Sequence, residues 1–277
     1  MERALGLMAG AGVLPGRAAA EAAREGWRVV AFTFDDDSPG LDEHAAAVVP
    51  SRIDNIQAVL SELMAHNVSA AVFVGKFSKQ RVLAHRDEEV DEAARRLARG
   101  GLSDGALGEM VVATLSGLGI DVLDQRRFLS PWMVGPGVAT VRHPTENEWA
   151  EIREGFSLAR HLATVGIGQT VVRSRGVTVA VEAAEGTDET IRRATRLAGP
   201  GTVVVKAAGG RQDYRFDVPT IGAATLEIMA EGGAAALAME SGKMLLVDRE
   251  EVIRIADRAG IAVVSVEETV SSRDGSA

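Results

Sequence analysis

The chain opens with Ala4-Leu-Gly-Leu-Met-Ala-Gly10-Ala-Gly12-Val-Leu-Pro15, an apolar run followed by a glycine-rich turn and a proline. The run 4–9 predicts a buried strand, and apolar residues recur at helical spacing over 14–25 until Gly26. Residues 27–34 then predict a second strand. Strand, glycine turn, helix and strand in this order indicate a parallel sheet covered by helices.

The same alternation continues through the first half of the chain. It predicts helices near 53–66, 91–99 and 108–118, and strands at 69–75 and 121–123. Each connection is long enough for a right-handed crossover. We therefore expect an α/β fold whose N-terminal domain is a Rossmann-like parallel sheet.

The pattern changes after a segment rich in proline and glycine, residues 130–144, which predicts a domain boundary near residue 140. We assign 1–139 to the first domain and 140–277 to the second. In the second, alternating runs at 169–173 and 177–182 are joined by Ser174-Arg175-Gly176, which predicts a hairpin. A hairpin among helices indicates a mixed sheet. The remaining pattern predicts helices at 146–162, 188–197, 223–230 and 250–258, and strands at 202–206, 234–239, 244–247 and 261–266.

Composition excludes several classes of function. With 277 residues, 30 basic and 39 acidic side chains and a net charge of −9, the chain is not expected to bind nucleic acid. It contains no cysteine, which excludes disulfides, thiolate zinc sites and cysteine nucleophiles and fits a cytoplasmic protein. No apolar run has the roughly 18 residues of a membrane span, so membrane contact is expected to be peripheral.

The first candidate site is the glycine turn. Gly10 and Gly12 supply part of a dinucleotide-binding fingerprint, but Pro15 stands where its third small residue belongs. The acids at 35–37 lie where a ribose-binding carboxylate would fall, so an NAD-dependent oxidoreductase stays open as an alternative. A plain tight turn into a helix that starts with proline is equally compatible.

The second candidate is the segment 206–222. Pro219 favours extended backbone before it, and if that extension continues, Asp213, Arg215 and Asp217 share one face. Lys206 ends a strand nearby. Carboxylates that bind Mg²⁺, together with cations that neutralise phosphate oxygens, are what phosphoryl transfer requires. A salt-bridged surface loop remains the alternative interpretation.

Other polar groups follow predicted strands. Glu182 and Glu185 come after the hairpin, before Thr187 and Asp188, for which the pattern predicts a helix N-cap. Gly168-Gln169 and Gly75-Lys76 lie at comparable strand ends. Ligands bind at this edge in many α/β proteins, so these residues are candidate contacts.

Taken in order, these motifs resemble the LpxI family of UDP-2,3-diacylglucosamine pyrophosphatases, and the resemblance covers nearly the whole chain. It is carried by Gly6-Leu-Met-Ala-Gly10-Ala-Gly12-Val-Leu-Pro15, Gly75-Lys76-Phe-Ser78, Gly168-Gln169, Ala180-Val-Glu182-Ala-Ala-Glu185-Gly186-Thr187-Asp188, Arg215-Phe216-Asp217-Val218-Pro219-Thr220-Ile221-Gly222 and Leu246-Val247-Asp248-Arg249-Glu250. One departure is Gly209-Gly210, where the family often carries Lys-Pro. It shifts a cation to Arg211 and leaves open which side chain meets the phosphates.

The resemblance implies a two-domain hydrolase that holds its substrate between the domains. Water would attack the sugar-side phosphorus of UDP-2,3-diacylglucosamine and release UMP and 2,3-diacylglucosamine 1-phosphate for lipid A synthesis. A divalent cation, Mg²⁺ or another, is implied, and the family's essential aspartate falls on Asp217. The implied location is cytoplasmic, with transient contact at the inner membrane, and a homodimer is compatible.

On this hypothesis Asp217 and Asp213 are the candidate catalytic residues, and together with Glu182 or Glu185 they are the candidate metal ligands. The candidate substrate-binding residues are Gly10, Gly12, Gly75, Lys76, Gln169, Lys206, Arg211, Arg215, Thr220 and Gly222. A non-catalytic nucleotide-binding or lipid-binding protein is the other alternative.

Overall fold

The computed structural model describes residues 3–34, 38–77, 104–210 and 212–267. Two compact units divide the chain. The first comprises Met1–Pro131 and Asp213–Asp217, and the second comprises Trp132–Gln212 and Val218–Ala277. The boundary near residue 140 stays a prediction, and nothing in the sequence pattern indicated that 213–217 belongs to the first unit.

The first unit contains a five-stranded sheet with strand order β3-β2-β1-β4-β5, and every pair in it is parallel. This confirms the predicted parallel sheet. Its strands are β1 (Ala4–Ala9), β2 (Arg28–Thr33), β3 (Ala47–Pro50), β4 (Val68–Val74) and β5 (Asp121–Val122). Its helices are α1 (Leu14–Arg24), α2 (Ile56–Ala65), α3 (Asp104–Gly117) and α4 (Arg126–Leu129), the last followed by a 3₁₀ turn at Ser130–Trp132.

One strand of this sheet was not predicted. β3 lies at the edge of the sheet, has alternating partial exposure and ends at Pro50, so it lacks the apolar run of an inner strand. The helix predicted near 91–99 lies outside the described residues. The other predicted elements of this half agree with the structure to within about four residues at each end.

The core of the first unit packs small and branched side chains against two buried phenylalanines, Phe32 and Phe128. β1 is buried along its whole length, as expected for the central strand of a parallel sheet. Helix α1 buries Ala18, Ala19 and Ala22. Gly16 in the same helix lies so close to a loop that an added Cβ would be 2.3 Å from the carbonyl oxygen of Pro39.

The second unit contains a six-stranded mixed sheet with strand order β6-β13-β11-β9-β7-β8, which confirms the predicted mixed sheet. Its strands are β6 (Gly137–Val138), β7 (Thr170–Ser174), β8 (Val177–Val181), β9 (Val203–Lys206), β11 (Ala236–Glu240) and β13 (Ala262–Val266), while β10 (Thr220–Ile221) and β12 (Leu245–Leu246) form a separate parallel pair. Its helices are α5 (Glu146–Thr164), α6 (Thr187–Ala198), α7 (Ala223–Glu231) and α8 (Arg249–Ala259).

The predicted hairpin is confirmed. β7 and β8 pair antiparallel around Arg175 and Gly176, whose φ angles are 52° and 82°. Two consecutive residues with positive φ match the right-handed twist of the strands they join.

Helices cover both faces of the second sheet. On one face α5 packs Ile152, Phe156 and Ala159 against the strands. On the other face α6, α7 and α8 pack around a cluster that includes Ile191 and Leu226. Within the described ranges, no helix combines the length and the apolar composition that a membrane crossing requires.

Candidate functional site

In the first unit, the loops that follow β1 and β4 are joined at their bases. The amide of Gly10 donates to the carbonyl oxygen of Val74 at 2.9 Å. Ala11 and Lys76 then exchange two backbone hydrogen bonds, each of 3.0 Å. Two motifs that were predicted separately, Gly10 in the glycine turn and Gly75-Lys76, are thereby brought together at one edge of the sheet.

This junction requires glycine on both sides. A Cβ on Gly10 would lie 2.7 Å from the carbonyl oxygen of Lys76, and one on Gly75 would lie 2.8 Å from the carbonyl oxygen of Gly10. Gly75 also has a φ of 98°, which other residues adopt only with strain. The sequence marked these glycines as candidate contacts, but their mutual packing appears only in the structure.

The glycine junction lies where a ligand is expected in such a sheet. In the order β3-β2-β1-β4-β5 the chain reverses direction of travel between β1 and β4, and crevices at such points bind ligands in open α/β sheets. Gly12, just before α1 begins, has a φ of 101°, and no atom of the described residues lies within 4 Å of an added Cβ there. The acids at 35–37, on which the NAD alternative depends, lie outside the described residues.

The segment 213–217 also belongs to the first unit, and it forms a turn. The amides of Phe216 and Asp217 both donate to the carbonyl oxygen of Asp213, at 3.1 and 3.2 Å. The expectation of an extended segment with Asp213, Arg215 and Asp217 on one face was therefore wrong. Pro219 restricts the backbone of Val218 only, because proline acts on the residue directly before it. The turn 213–217 therefore lies outside its influence.

Asp213 organises this turn through Arg215. Its Oδ1 accepts from the amide of Arg215 at 3.0 Å, and the guanidinium donates from Nε at 2.9 Å to Oδ1 and from Nη2 at 2.7 Å to Oδ2. Hydrogen bonds from this guanidinium are the main cause that lowers the pKa of Asp213, and the carboxylate in turn raises the pKa of Arg215. Both oxygens of Asp213 thus hold a cation of the chain, while Asp217 is exposed at the end of the turn.

In the second unit a buried lysine forms the centre of a polar cluster at the end of β9. Lys206 is 7% exposed, and its Nζ donates to Oγ1 of Thr187 at 2.9 Å and to the carbonyl oxygen of Thr220 at 3.2 Å. The hydroxyl of Thr187 donates to Oε1 of Glu182 at 3.0 Å. Of the predicted residues, Lys206, Thr220 and Glu182 therefore meet here.

Gln169 joins the same cluster. Its amide nitrogen donates to Oε2 of Glu182 at 3.2 Å, and its side chain is 3.5 Å from the side-chain oxygen of Gln212. Gly168 lies against the same strand end, because a Cβ there would be 2.2 Å from the carbonyl oxygen of Glu182.

Thr187 is the member of the cluster that the sequence pattern misassigned. The N-cap of α6 is Gly186, with a φ of 84°, and no side chain caps the helix, so the predicted capping role of Thr187 or Asp188 was wrong. The side chain of Thr187 bonds to Lys206 and Glu182, and that of Asp188 accepts from Thr225 at 3.0 Å. In the sequence, only the spacing Glu-x-x-x-x-Thr after a strand could have indicated that Thr187 contacts Glu182.

Glu185 lies just before α6, and its side chain bonds to two residues of that helix. Its carboxylate accepts from Arg193 at 2.6 Å and from Thr190 at 3.3 Å. Its own backbone amide is the largest cause that lowers its pKa, followed by the guanidinium of Arg193. Gly222, a candidate substrate contact, is the N-cap of α7, and no side chain caps that helix.

Glu240, at the end of β11, is a residue that the sequence analysis missed. It is fully buried, and its carboxylate accepts from Arg160 at 3.0 Å, from Lys243 at 2.9 Å and from the amide of Ala208 at 2.9 Å. A buried carboxylate is stable only when it is paired in this way. Glu240 thereby fixes the loop that follows β9.

The departure at Gly209-Gly210 has a structural role in the same loop. A Cβ on Gly209 would lie 2.9 Å from the backbone of Ala163, and the amide of Gly210 donates to Oγ1 of Thr164 at 3.1 Å. The two glycines therefore fasten the loop to the end of α5. Arg211, the cation predicted next to them, lies outside the described residues.

A metal site would need several acidic or histidine side chains close together. Among the residues that the structure describes, no three acidic or histidine side chains form a group that could hold a metal ion. Asp213 and Glu185, two of the predicted ligands, hold guanidinium groups of the chain. The described side chains thus do not form a ready cation shell within either unit.

Comparison with known proteins assigns the chain to a family. Residues 4–132 match the LpxI N-terminal domain, and residues 135–264 match the LpxI C-terminal domain. The chain belongs to the LpxI family. The turn 213–217 lies within the LpxI C-terminal match, although its contacts place it in the first unit.

A curated LpxI relative matches the chain from end to end. It is the UDP-2,3-diacylglucosamine pyrophosphatase LpxI of Caulobacter vibrioides, 32% identical over 282 residues that cover 96% of this chain and 98% of the relative. Among solved structures, N5-carboxyaminoimidazole synthetase from Staphylococcus aureus is 15% identical with a TM-score of 0.25, over 66% of this chain and 41% of that one. Such a score carries no argument about the LpxI fold.

Proposed function

We propose that the chain hydrolyses the pyrophosphate of UDP-2,3-diacylglucosamine to UMP and 2,3-diacylglucosamine 1-phosphate. The observation that carries this proposal is the end-to-end match to the Caulobacter vibrioides pyrophosphatase. The parallel sheet with its glycine junction and the buried cation Lys206 support it, because a pyrophosphate needs backbone amides and positive charge.

In the proposed reaction, a water oxygen forms a bond to the sugar-side phosphorus. The bond from that phosphorus to the bridging oxygen breaks, and UMP leaves with the bridging oxygen while the water loses a proton. We assign Asp217 to orient this water and receive its proton, since its carboxylate is exposed. Lys206 is assigned to neutralise charge that develops on the phosphate oxygens.

The assignments of the other predicted residues follow their contacts. Gly10, Gly12, Gly75 and Lys76 are proposed to bind the substrate through the loops of the first sheet, and Gln169 and Thr220 through the Lys206 cluster. Asp213 and Arg215 are assigned to the turn that carries Asp217, because they bind one another. Arg211 and Gly222 remain proposed substrate contacts.

Dependence on a divalent cation such as Mg²⁺ is a separate part of the proposal. When bound, the cation would supply positive charge to the phosphate oxygens. Asp217 is the exposed carboxylate that we propose to hold this cation. The expected result is loss of UMP release in excess chelator and recovery on adding Mg²⁺.

The assay for the proposal measures UMP released from UDP-2,3-diacylglucosamine in detergent micelles. We expect wild-type turnover and a loss of roughly 100-fold or more in Asp217→Asn, the loss typical of a missing general base. Asp42→Asn, which removes another exposed acid of the same unit, should retain activity. No UMP from wild type, or full activity in Asp217→Asn, would refute the proposal.

Isotope labelling separates the two possible sites of attack. In water enriched in ¹⁸O, attack on the sugar-side phosphorus places the label in diacylglucosamine 1-phosphate, whereas attack on the uridine-side phosphorus places it in UMP. Thermal stabilisation by NAD without any UMP release would favour the oxidoreductase alternative.

Peripheral membrane contact is proposed on chemical grounds. A substrate with two acyl chains resides in a bilayer, so the protein must reach the bilayer surface. With a net charge of −9, such contact requires a local basic patch. Co-sedimentation with anionic vesicles that contain the substrate should exceed that with vesicles that lack it.

A further inference from the structure

The turn 213–217 comes from the second half of the sequence but belongs to the first unit. The chain leaves the second unit after Gln212 and returns to it at Val218. A five-residue turn has little apolar surface of its own, so its place must be fixed by a small number of contacts. These contacts come from Phe216 and Tyr214.

Phe216 packs against a helix and a strand of the first unit. Its ring centroid is 5.2 Å from that of Phe73 on β4, within the range of favourable aromatic pairs. On its other side the ring contacts the backbone of α3 at Gly108. A Cβ on Gly108 would lie 2.7 and 2.8 Å from two ring carbons, so glycine is required for the ring to occupy this place.

Tyr214 provides the second anchor. Its carbonyl oxygen accepts from the amide of Gln125 at 3.1 Å, and the guanidinium of Arg126 lies 3.7 Å from the centroid of its ring. Asp124 holds that guanidinium in place with bonds of 3.0 and 2.6 Å. A cation over an aromatic ring makes a favourable cation–π interaction. The segment 124–126 therefore binds the turn through a backbone hydrogen bond and through a side-chain contact.

We infer that Gly108 and Phe216 are positioning residues for Asp217. Asp217 follows Phe216 directly, and its amide is bonded to Asp213 within the same turn. A displaced ring therefore displaces the carboxylate. A misplacement of about 1 Å can lower a rate roughly 100-fold. The turnover rate should therefore depend on how the ring of Phe216 packs against Gly108. This inference rests on the proposed function, because it acts through Asp217.

The test compares two glycine substitutions in the same helix. Gly108→Ala places a methyl group against the ring, whereas the methyl group of Gly117→Ala, also in α3, meets no atom of the described residues within 4 Å. Both changes favour the helical state, so a difference between them reports the contact with Phe216 and not helix stability. We expect kcat to fall roughly 10- to 100-fold in Gly108→Ala with KM nearly unchanged, and both constants to be retained in Gly117→Ala.

A second readout is independent of activity. The chain contains a single tyrosine, so ¹³C-labelled tyrosine gives NMR signals from Tyr214 alone, inside the turn. Gly108→Ala should shift these signals, and Gly117→Ala should not. Combining Gly108→Ala with Phe216→Leu, which shortens the side chain, should restore the Tyr214 signals and part of kcat.

Each outcome decides a distinct point. Unchanged Tyr214 signals in Gly108→Ala would overturn the packing argument. Shifted signals with unchanged kcat would overturn the positioning role. If wild type released no UMP, the proposed function would fail and the positioning role with it, while the Tyr214 signals would still show whether the turn is anchored at Gly108.

Discussion

The side-chain nitrogen of Lys206 donates to the hydroxyl oxygen of Thr187 at 2.9 Å, and that hydroxyl donates to Glu182 at 3.0 Å. One hydroxyl therefore links a buried cation to a carboxylate. The direction of both bonds is fixed, since an ammonium group only donates and a carboxylate only accepts. Thr187, together with the carbonyl oxygen of Thr220, thus helps to orient Lys206.

Two substitutions of Thr187 distinguish the contribution of its hydroxyl group from that of its side-chain packing. Thr187→Val removes one hydrogen bond from Lys206, which is buried, and one from Glu182, which is partly buried, so we expect a loss of about 1–3 kcal/mol in unfolding free energy. Thr187→Ser retains the hydroxyl and should restore most of that loss. Thermal denaturation measures the stability, and the KM for UDP-2,3-diacylglucosamine should rise roughly 10-fold in the valine variant if Lys206 binds the phosphates. Equal KM values for both variants would contradict this assignment.

Glu240 should matter for stability more than any exposed acid. Glu240→Gln leaves Arg160 and Lys243 facing a neutral group at a site where the carboxylate is fully buried. We expect a loss of about 3 kcal/mol, at the low end for a broken buried pair because both cations are partly exposed.

The matched control for Glu240→Gln is Glu189→Gln, which removes an ion pair with Arg192 on the surface of α6. That change should cost less than about 1 kcal/mol. Urea denaturation followed by circular dichroism would measure both variants. An equal, small effect of the two substitutions would contradict a structural role for the buried carboxylate.

Because the glycine junction is tightly packed, alanine at Gly10 should destabilise the protein, whereas alanine at Gly117 should not. In Gly10→Ala the new Cβ would lie 2.7 Å from the backbone oxygen of Lys76, and backbone cannot move as cheaply as a side-chain end. We expect a loss of about 1–3 kcal/mol in unfolding free energy. Gly117→Ala, whose Cβ meets no atom within 4 Å in the part of the chain that the structure describes, should leave stability unchanged or raise it. A calorimetric melting temperature for Gly10→Ala equal to that of wild type would show that the two loops do not meet.

The ion pair between Asp213 and Arg215 predicts that the stability of the turn depends on pH. Because the guanidinium lowers the pKa of Asp213 in the folded state, the pair stabilises the turn fully at pH values above the ordinary carboxyl pKa of 3.8. This stabilisation is lost as the pH falls through the lower pKa of the folded state. The pair is about one-third exposed, so the effect is about 0.5–1 kcal/mol.

The measurement is the position of the Tyr214 NMR signals as a function of pH. Asp213→Asn retains the oxygen that accepts from the amide of Arg215 but removes the charge, so its Tyr214 signals should lack the transition below pH 3.8 that wild type shows. Asp42→Asn, at an exposed site elsewhere in the unit, should keep that transition. The same acid transition in Asp213→Asn would assign it to another group.

The sequence by itself determined the elements and their order. The periodicity of 4–9 and 14–25 and the turn at Arg175-Gly176 are properties of neighbouring residues, and they reveal the local backbone preferences. The same local patterns marked the strand ends where Gly10, Gly75, Glu182 and Lys206 lie. They failed at the edge strand β3, whose half-exposed residues carry no distinctive period.

Only the tertiary structure determined which of these residues meet. Gly10 packs on Gly75, Glu240 holds the loop at Ala208, and Phe216 takes residues 213–217 to the first unit, where it rests on Gly108. These contacts join residues between 32 and 108 positions apart. Their energy depends on close packing and on buried charges finding partners, and neither leaves a period in the sequence. Asp217 was recognisable from its motif, whereas the ring and the glycine that hold its turn were not.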